Sequence, residues 1–92
     1  MTYTYIKTDG SKRYITSKKP LSLKRLQALV GGSIEFATRR ISGLNITFCI
    51  NEEGLLHKLE RNQMYPEFVG DIILGQLTQK SSGTEFEGGI LI

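Results

Sequence analysis

Apolar and polar residues alternate most regularly between Leu44 and Ile50, where Leu44, Ile46, Phe48 and Ile50 are separated by Asn45, Thr47 and Cys49. A period of two places the four apolar side chains on one face of a β-strand. Ile34 and Phe36 alternate with Glu35 and Ala37 in the same way, and the short link Arg39-Arg40-Ile41-Ser42-Gly43 joins the two runs as an antiparallel hairpin. A second hairpin is predicted near the start. Tyr3–Lys7 and Lys12–Thr16 are rich in β-formers, and Thr8-Asp9-Gly10-Ser11 between them holds an Asp-Gly pair that tolerates positive φ. Between the hairpins the period lengthens. At roughly 100° per residue Leu23, Leu26, Leu29 and Val30 fall on one arc, which predicts a helix over 22–30. Ser22 suits its N-cap, Leu21 and Leu26 suit a hydrophobic staple, and Gly31 suits a left-handed C-cap.

Past the second hairpin the signals are mixed. Asn51-Glu52-Glu53-Gly54 reads as a turn. Leu55-Leu56-His57-Lys58-Leu59 fits a short strand returning along 44–50 or a single helical turn, and the return strand is the preferred reading. Residues 61–68 are irregular and held by Pro66. Asp71–Thr78 is nearly continuous in its apolar residues, which predicts a central strand. The tail ends Ile90-Leu91-Ile92, an edge strand for this domain or for a partner. Together these elements predict one α+β domain over residues 1–92, a mostly antiparallel sheet with one main helix packed on one face. It divides into a basic hairpin (1–16), a central region (21–79) and a tail (80–92). The expected core is Leu26, Leu29, Val30, Ile34, Phe36, Leu44, Ile46, Phe48, Ile72 and Leu74.

Composition narrows the class. Ninety-two residues, 39% hydrophobic and 23% charged, suit one small globular domain. No apolar run approaches the ~18–20 residues of a membrane span. The start has neither the basic nor the apolar part of a signal peptide, and the lone Cys49 cannot form an internal disulfide. A cytoplasmic protein is expected. The net charge of +3 conceals an asymmetry: residues 1–40 hold nine bases and two acids, a net of +7, whereas residues 41–92 hold three bases and seven acids, a net of −4.

Catalytic chemistry finds few groups to use. His57 lies among leucines with no carboxylate at a defensible spacing, and Cys49 sits within a strand pattern rather than an electropositive setting. One Cys and one His do not make an ordinary zinc site, and Glu52 and Glu53 point apart on a turn. Val30-Gly31-Gly32-Ser33 follows a helix, whereas a phosphate-binding fingerprint must precede one. The chain reads as non-enzymatic, without cofactor or metal. Binding has more to use: Tyr3, Tyr5, Tyr14 and Tyr65 can stack on bases, and Arg13, Arg39 and Arg40 can hold phosphates. Nucleic acid is permitted by the charge, but no nucleic-acid motif is present.

The combination Leu26…Val30-Gly31-Gly32…Ile34-Glu35, Asn51-Glu52-Glu53-Gly54, Asn62 and Gly70-Asp71-Ile72-Ile73-Leu74-Gly75 resembles a family of small proteins of phages and mobile elements, known only as a domain of unknown function. The resemblance covers residues 21–79 and leaves the basic hairpin and the Phe86–Ile92 tail outside. It implies a viral accessory protein of the host-cell cytoplasm, acting in counter-defence by sequestering an anionic ligand such as a nucleotide signal. The rival readings are a nucleic-acid-binding module and a protein-binding inhibitor of a host enzyme. Candidate ligand-binding residues are Arg39 and Arg40, followed by Lys24, Arg25, Asn51, Asn62 and Tyr65. A homo-oligomer, at least a dimer, is expected because the +7 and −4 halves complement each other between copies and because the apolar tail needs covering.

Overall fold

The computed structural model describes residues 1–90 and contains seven regular elements: β1 (Thr2–Ile6), β2 (Lys12–Thr16), α1 (Leu23–Val30), β3 (Ile34–Ile41), β4 (Leu44–Asn51), β5 (Ile72–Lys80) and β6 (Gly83–Glu87). Every strand pairing is antiparallel. The sheet runs in the order β2-β1-β5-β4-β3, and β6 pairs with the far half of β5. This overturns the α+β expectation. The molecule is a six-stranded antiparallel sheet with one eight-residue helix among its described residues, about 9% of the chain, and belongs nearer the all-β class. Strand extends beyond the expected runs at three places. β3 continues through Arg39-Arg40-Ile41 to a two-residue turn, β5 continues to Lys80, and the tail contains β6, whose one large apolar side chain is Phe86.

Local chemistry accounts for each boundary. Ser42 and Gly43 both have positive φ (51° and 82°), the two-residue turn whose twist matches antiparallel strands, so the hairpin zips to its tip. Arg39 and Arg40 therefore lie within a strand and not in a link between strands. Ser22 accepts a hydrogen bond from the Arg25 N–H at 3.2 Å and opens α1. Gly31, at φ 86°, closes it, and the N–H groups of Gly31 and Gly32 both donate to the Gln27 carbonyl. Residues 55–59 form no return strand. Both edges of β4 are already taken, by β3 and β5, so the chain turns instead, with the His57 N–H donating to Glu53 and the Leu59 N–H to Gly54.

The sheet buries both faces. One carries Ile6, Ile46, Phe48, Ile50, Ile72 and Leu74 and is covered by Phe68 and Tyr65 of the 52–71 connection and by Ile90. The other carries Tyr3, Cys49 and Ile73 and is covered by Leu26 and Val30 of α1 and by Phe86 of β6. Two-sided burial explains why Thr47, Cys49 and Asn51, the polar partners in the alternating β4 pattern, are as buried as their apolar neighbours. It also explains β5, whose Ile72-Ile73-Leu74 is fully buried between β1 and β4. Of the expected core, Leu29 and Ile34 are half-buried, whereas Phe36 (41%) and Leu44 (53%) are exposed. Phe36 stands on the outermost strand and touches only Phe86 among the rings (5.0 Å), and Leu44 lies at the hairpin tip, beyond the covering segments.

The tail closes the sheet by a different route from an edge strand. Gly75 lies beneath β6, where a Cβ would overlap the Glu87 carbonyl and the Phe86 ring, and Gly88 presses against the backbone of Thr2. The chain then runs beside β1, the Gly89 N–H donating to Thr2 and the Thr4 hydroxyl to the Ile90 carbonyl, both at 2.7 Å. Leu91 and Ile92, part of the expected edge strand, lie outside the described residues.

Asn62 holds the irregular 52–71 connection to this frame. It is fully buried. Its Nδ2 donates to the carbonyls of Ile6 (3.3 Å), Lys7 (3.3 Å) and Gly70 (3.1 Å), while its Oδ1 accepts from the N–H groups of Met64 (3.0 Å) and Tyr65 (3.1 Å). Removing the amide takes a partner from five backbone groups, of which the Lys7 carbonyl still accepts from the Gly10 N–H, and the carbonyls of Ile6 and Gly70 are buried. Asn62→Ala should lower the unfolding free energy by about 3–4 kcal/mol in urea titrations. Asn62→Asp should cost at least as much, because the buried carboxylate cannot donate to the three carbonyls.

Candidate functional site

The polar landmarks of the central region turn out to be fasteners. Asn51, 5% exposed, donates from Nδ2 to the Val30 carbonyl at the end of α1 (3.2 Å) and accepts at Oδ1 from the Glu53 N–H (2.8 Å). Gly32 leaves it room, since a Cβ there would lie 3.0 Å from the Asn51 Nδ2. Asp71 accepts from the Tyr5 hydroxyl (3.0 Å) and the Thr8 N–H (2.9 Å), and the same hydroxyl also lies 3.0 Å from the Leu29 carbonyl. Burial and the Asp71 carboxylate push the Tyr5 phenol up to about 12. Tyr65 is half-buried, packed edge-on against Phe48 at 4.9 Å, and burial raises its phenol as well. Of the seven expected ligand residues, Asn51 and Asn62 therefore have their amides spent on backbone, and Tyr65 belongs mainly to the core.

Arg39 and Arg40 are neighbours on β3 and so point to opposite faces. Arg39 shares the Phe68 face. Its Nε lies 3.2 Å from Glu67, its guanidinium carbon sits 5.5 Å from the Phe68 ring centre, and it donates to the Thr38 carbonyl. Arg40 lies over the other face, 3.4 Å from the Asn45 side-chain oxygen. The structure does not bring the two together. Arg39 does line a groove of about 580 Å³ between β3, the end of β4 and the 52–69 segment. The apolar lining of that groove comes from Ala37, Ile50, Phe68 and Val69, with Leu55 (76%) and Leu56 (72%) exposed at its rim. Its charges are Glu35, Glu52, Glu53 and Glu67 against Arg39 and Arg61, and Arg61 donates to the Pro66 carbonyl. The groove is acidic. A smaller one, about 340 Å³, is lined by Glu60 and Asp71 with Thr8 and Leu59.

The uncompensated positive charge lies elsewhere. Between Gly10 and Ile34 the chain has six bases (Lys12, Arg13, Lys18, Lys19, Lys24 and Arg25) and no acid. All six are exposed, and among the described residues none takes part in an ion pair. They run from β2, at one edge of the sheet, through the 17–22 link to the first turn of α1. Lys24 and Arg25 were among the expected residues. Lys12, Lys18 and Lys19 were not, although the acid-free run in the sequence was a signal that could have found them.

The groups with reactive potential are quiet. Cys49 is fully buried, and burial pushes its thiol up to about 12. His57 is exposed, 3.6 Å from Glu53 one turn away. Among the described residues no group of three or more His, Cys, Asp or Glu side chains is placed to hold a metal ion, and no helix is long and apolar enough to cross a membrane. At neutral pH, Cys49 should react with an aromatic disulfide reagent only as fast as the sheet opens, so mild urea should accelerate labelling far more than it does for a small thiol. Because the folded thiol value lies above the ordinary value near 9, its contribution to stability is complete below pH 9 and is lost as the pH rises toward 12. Alkaline melts of Cys49→Ala should lack that component.

No curated protein and no solved structure matches the chain. A family model described as a domain of unknown function, DUF3846, matches residues 1–86, so the basic N-terminal hairpin, expected to fall outside the family's pattern, lies within it. On a match that spans β1 to Phe86 of β6, the chain belongs to the DUF3846 family.

Proposed function

We propose that this DUF3846 protein is a non-enzymatic binding module that takes a phosphate-bearing polymer, a nucleic-acid strand or duplex, along the β2–α1 segment with Arg13, Lys18, Lys19, Lys24 and Arg25, while Lys12 projects to the opposite face of β2. The observation that carries the reading is the acid-free run whose six bases are all exposed and without an ion-pair partner among the described residues. Such a surface attracts phosphates by counterion release and needs no pocket. A compact nucleotide would instead need an enclosed site, and both grooves are lined by carboxylates in excess of bases. Arg39, the leading candidate from the sequence, already has Glu67 as its partner. The anionic-ligand expectation thus moves from Arg39 and Arg40 to the β2–α1 segment, and from a nucleotide to a polymer. The buried, protonated Cys49 and the exposed His57 support a role without bond-making. The habitat implied by the resemblance, a phage or mobile element, would set such a module to act on host or viral nucleic acid in the host cytoplasm, with counter-defence as one such use.

Fluorescence anisotropy with labelled single-stranded and duplex oligonucleotides tests this directly. Binding should weaken with salt, and each of the four reversals Lys18→Glu, Lys19→Glu, Lys24→Glu and Arg25→Glu should lower the log–log salt slope by about 0.7–0.9. Arg39→Ala should leave affinity unchanged. A melting temperature raised by linear or cyclic nucleotides, with no oligonucleotide binding, would hand the function back to nucleotide sequestration. Binding of neither ligand class would remove the proposal altogether.

A further inference from the structure

Both outer strands of the sheet have one edge without a strand partner among the described residues. Among the described residues β2 pairs only with β1 and β3 only with β4. Four successive antiparallel pairings separate them, so β2 and β3 run in the same direction within one molecule. An identical copy placed beside the first in the same orientation therefore meets β3 with its own β2, parallel and with N-terminal ends together. The charges suit that encounter. The bases of β2, Lys12 and Arg13, stand at its beginning. On β3 the acid, Glu35, stands at the beginning and Arg39 and Arg40 stand near the end. Glu52 and Glu53 extend the acidic end along the groove.

The faces match too. Lys12 and Tyr14 are registered with Ile6 and Thr4, and Glu35 and Ala37 with Ile50 and Phe48, so all four side chains belong to the Ile6–Phe48 face of the sheet. With Lys12 set at Glu35, the register continues with position 14 level with Ala37, beside the groove formed with Phe68. The geometry points to head-to-tail assembly of this protein, β2 of one copy adding to the β3 edge of the next beside the acidic groove. The contact is heterologous, so it propagates as a filament or closes as a ring, depending on the twist between copies. Its leading acid, Glu35, belongs to the basic half of the chain, so the contact differs from the expected pairing of the +7 and −4 halves, to which Glu52 and Glu53 alone contribute here.

The experiment is analytical ultracentrifugation across the micromolar range, without nucleic acid and with Lys18, Lys19, Lys24 and Arg25 intact, so its outcome is separate from that of the binding assay. Wild-type mass should rise with concentration and fall with salt. Lys12→Glu/Arg13→Glu, on an exposed edge strand, and Glu35→Lys/Glu53→Lys, on the groove, should each sediment as monomers with unaltered circular dichroism. Mixed one to one, the two variants should assemble again, since each then offers the other a complementary edge. A wild type that stays monomeric, a variant that keeps the wild-type assembly, or a mixture of monomeric variants that fails to associate overturns the proposal.

Discussion

One buried amide holds the long connection to the sheet. Asn62 spans the end of β1, the residue two before β5 and the turn at Met64–Tyr65, and it does so with every polar atom occupied. Residues 52–71 contain no regular strand or helix, only an isolated bridge between Arg61 and Val69. A connection of that length has no ladder of its own to satisfy its backbone, so side chains must supply the missing partners. Asn51 does the same at the entry to the connection, and Asp71 at its exit. Phe68 and Tyr65 are thereby carried onto Phe48, which closes one face of the sheet. The groove beside β3 is a by-product: it is the gap left where this connection stands away from the outermost strand.

Much of the frame could be read from residue order, because the governing forces were local. The two hairpins followed from alternation and from turn residues that accept positive φ, and α1 followed from its caps and its arc of leucines. What escaped was set at a distance. Nothing near Leu55–Leu59 indicates that β4 has no free edge, and nothing near Phe36 shows that its strand is outermost. The helix was weighted as a main element on the strength of its clear signals, whereas the balance of the fold is decided by strands whose signals are weak, β6 above all. Its five residues contain two glutamates and one large apolar side chain, yet that Phe86 sits over Gly75 between Tyr3 and Phe36.

The site was legible in kind but not in position. Positive charge was visible in the N-terminal half, and the polar residues with the strongest pattern were read as binding groups. Asn51 and Asn62 are instead consumed by backbone, which a sequence without coordinates cannot reveal, because an amide fastening a loop and an amide reading a ligand look alike in one dimension. The same ambiguity applies to Arg39, whose charge is visible in the chain while its neutralising Glu67 lies 28 residues away. The structure sorts these groups by a simple criterion: polar residues with partners support the frame, and charged residues without them face outward.

The placement of β1 between β2 and β5 has a kinetic side. Its pairing with β5 joins residues about 70 positions apart, such as Thr4 with Leu74, whereas the three hairpins β1–β2, β3–β4 and β5–β6 each close within a few residues. Closing so long a loop carries an entropic cost that only the completed centre of the sheet repays, and folds dominated by such contacts assemble slowly. On a ribosome the first hairpin waits, with the inner edge of β1 unpaired, until Leu74 has been made. The duration of that wait, rather than final stability, is the interval in which the young chain is most open to mispairing.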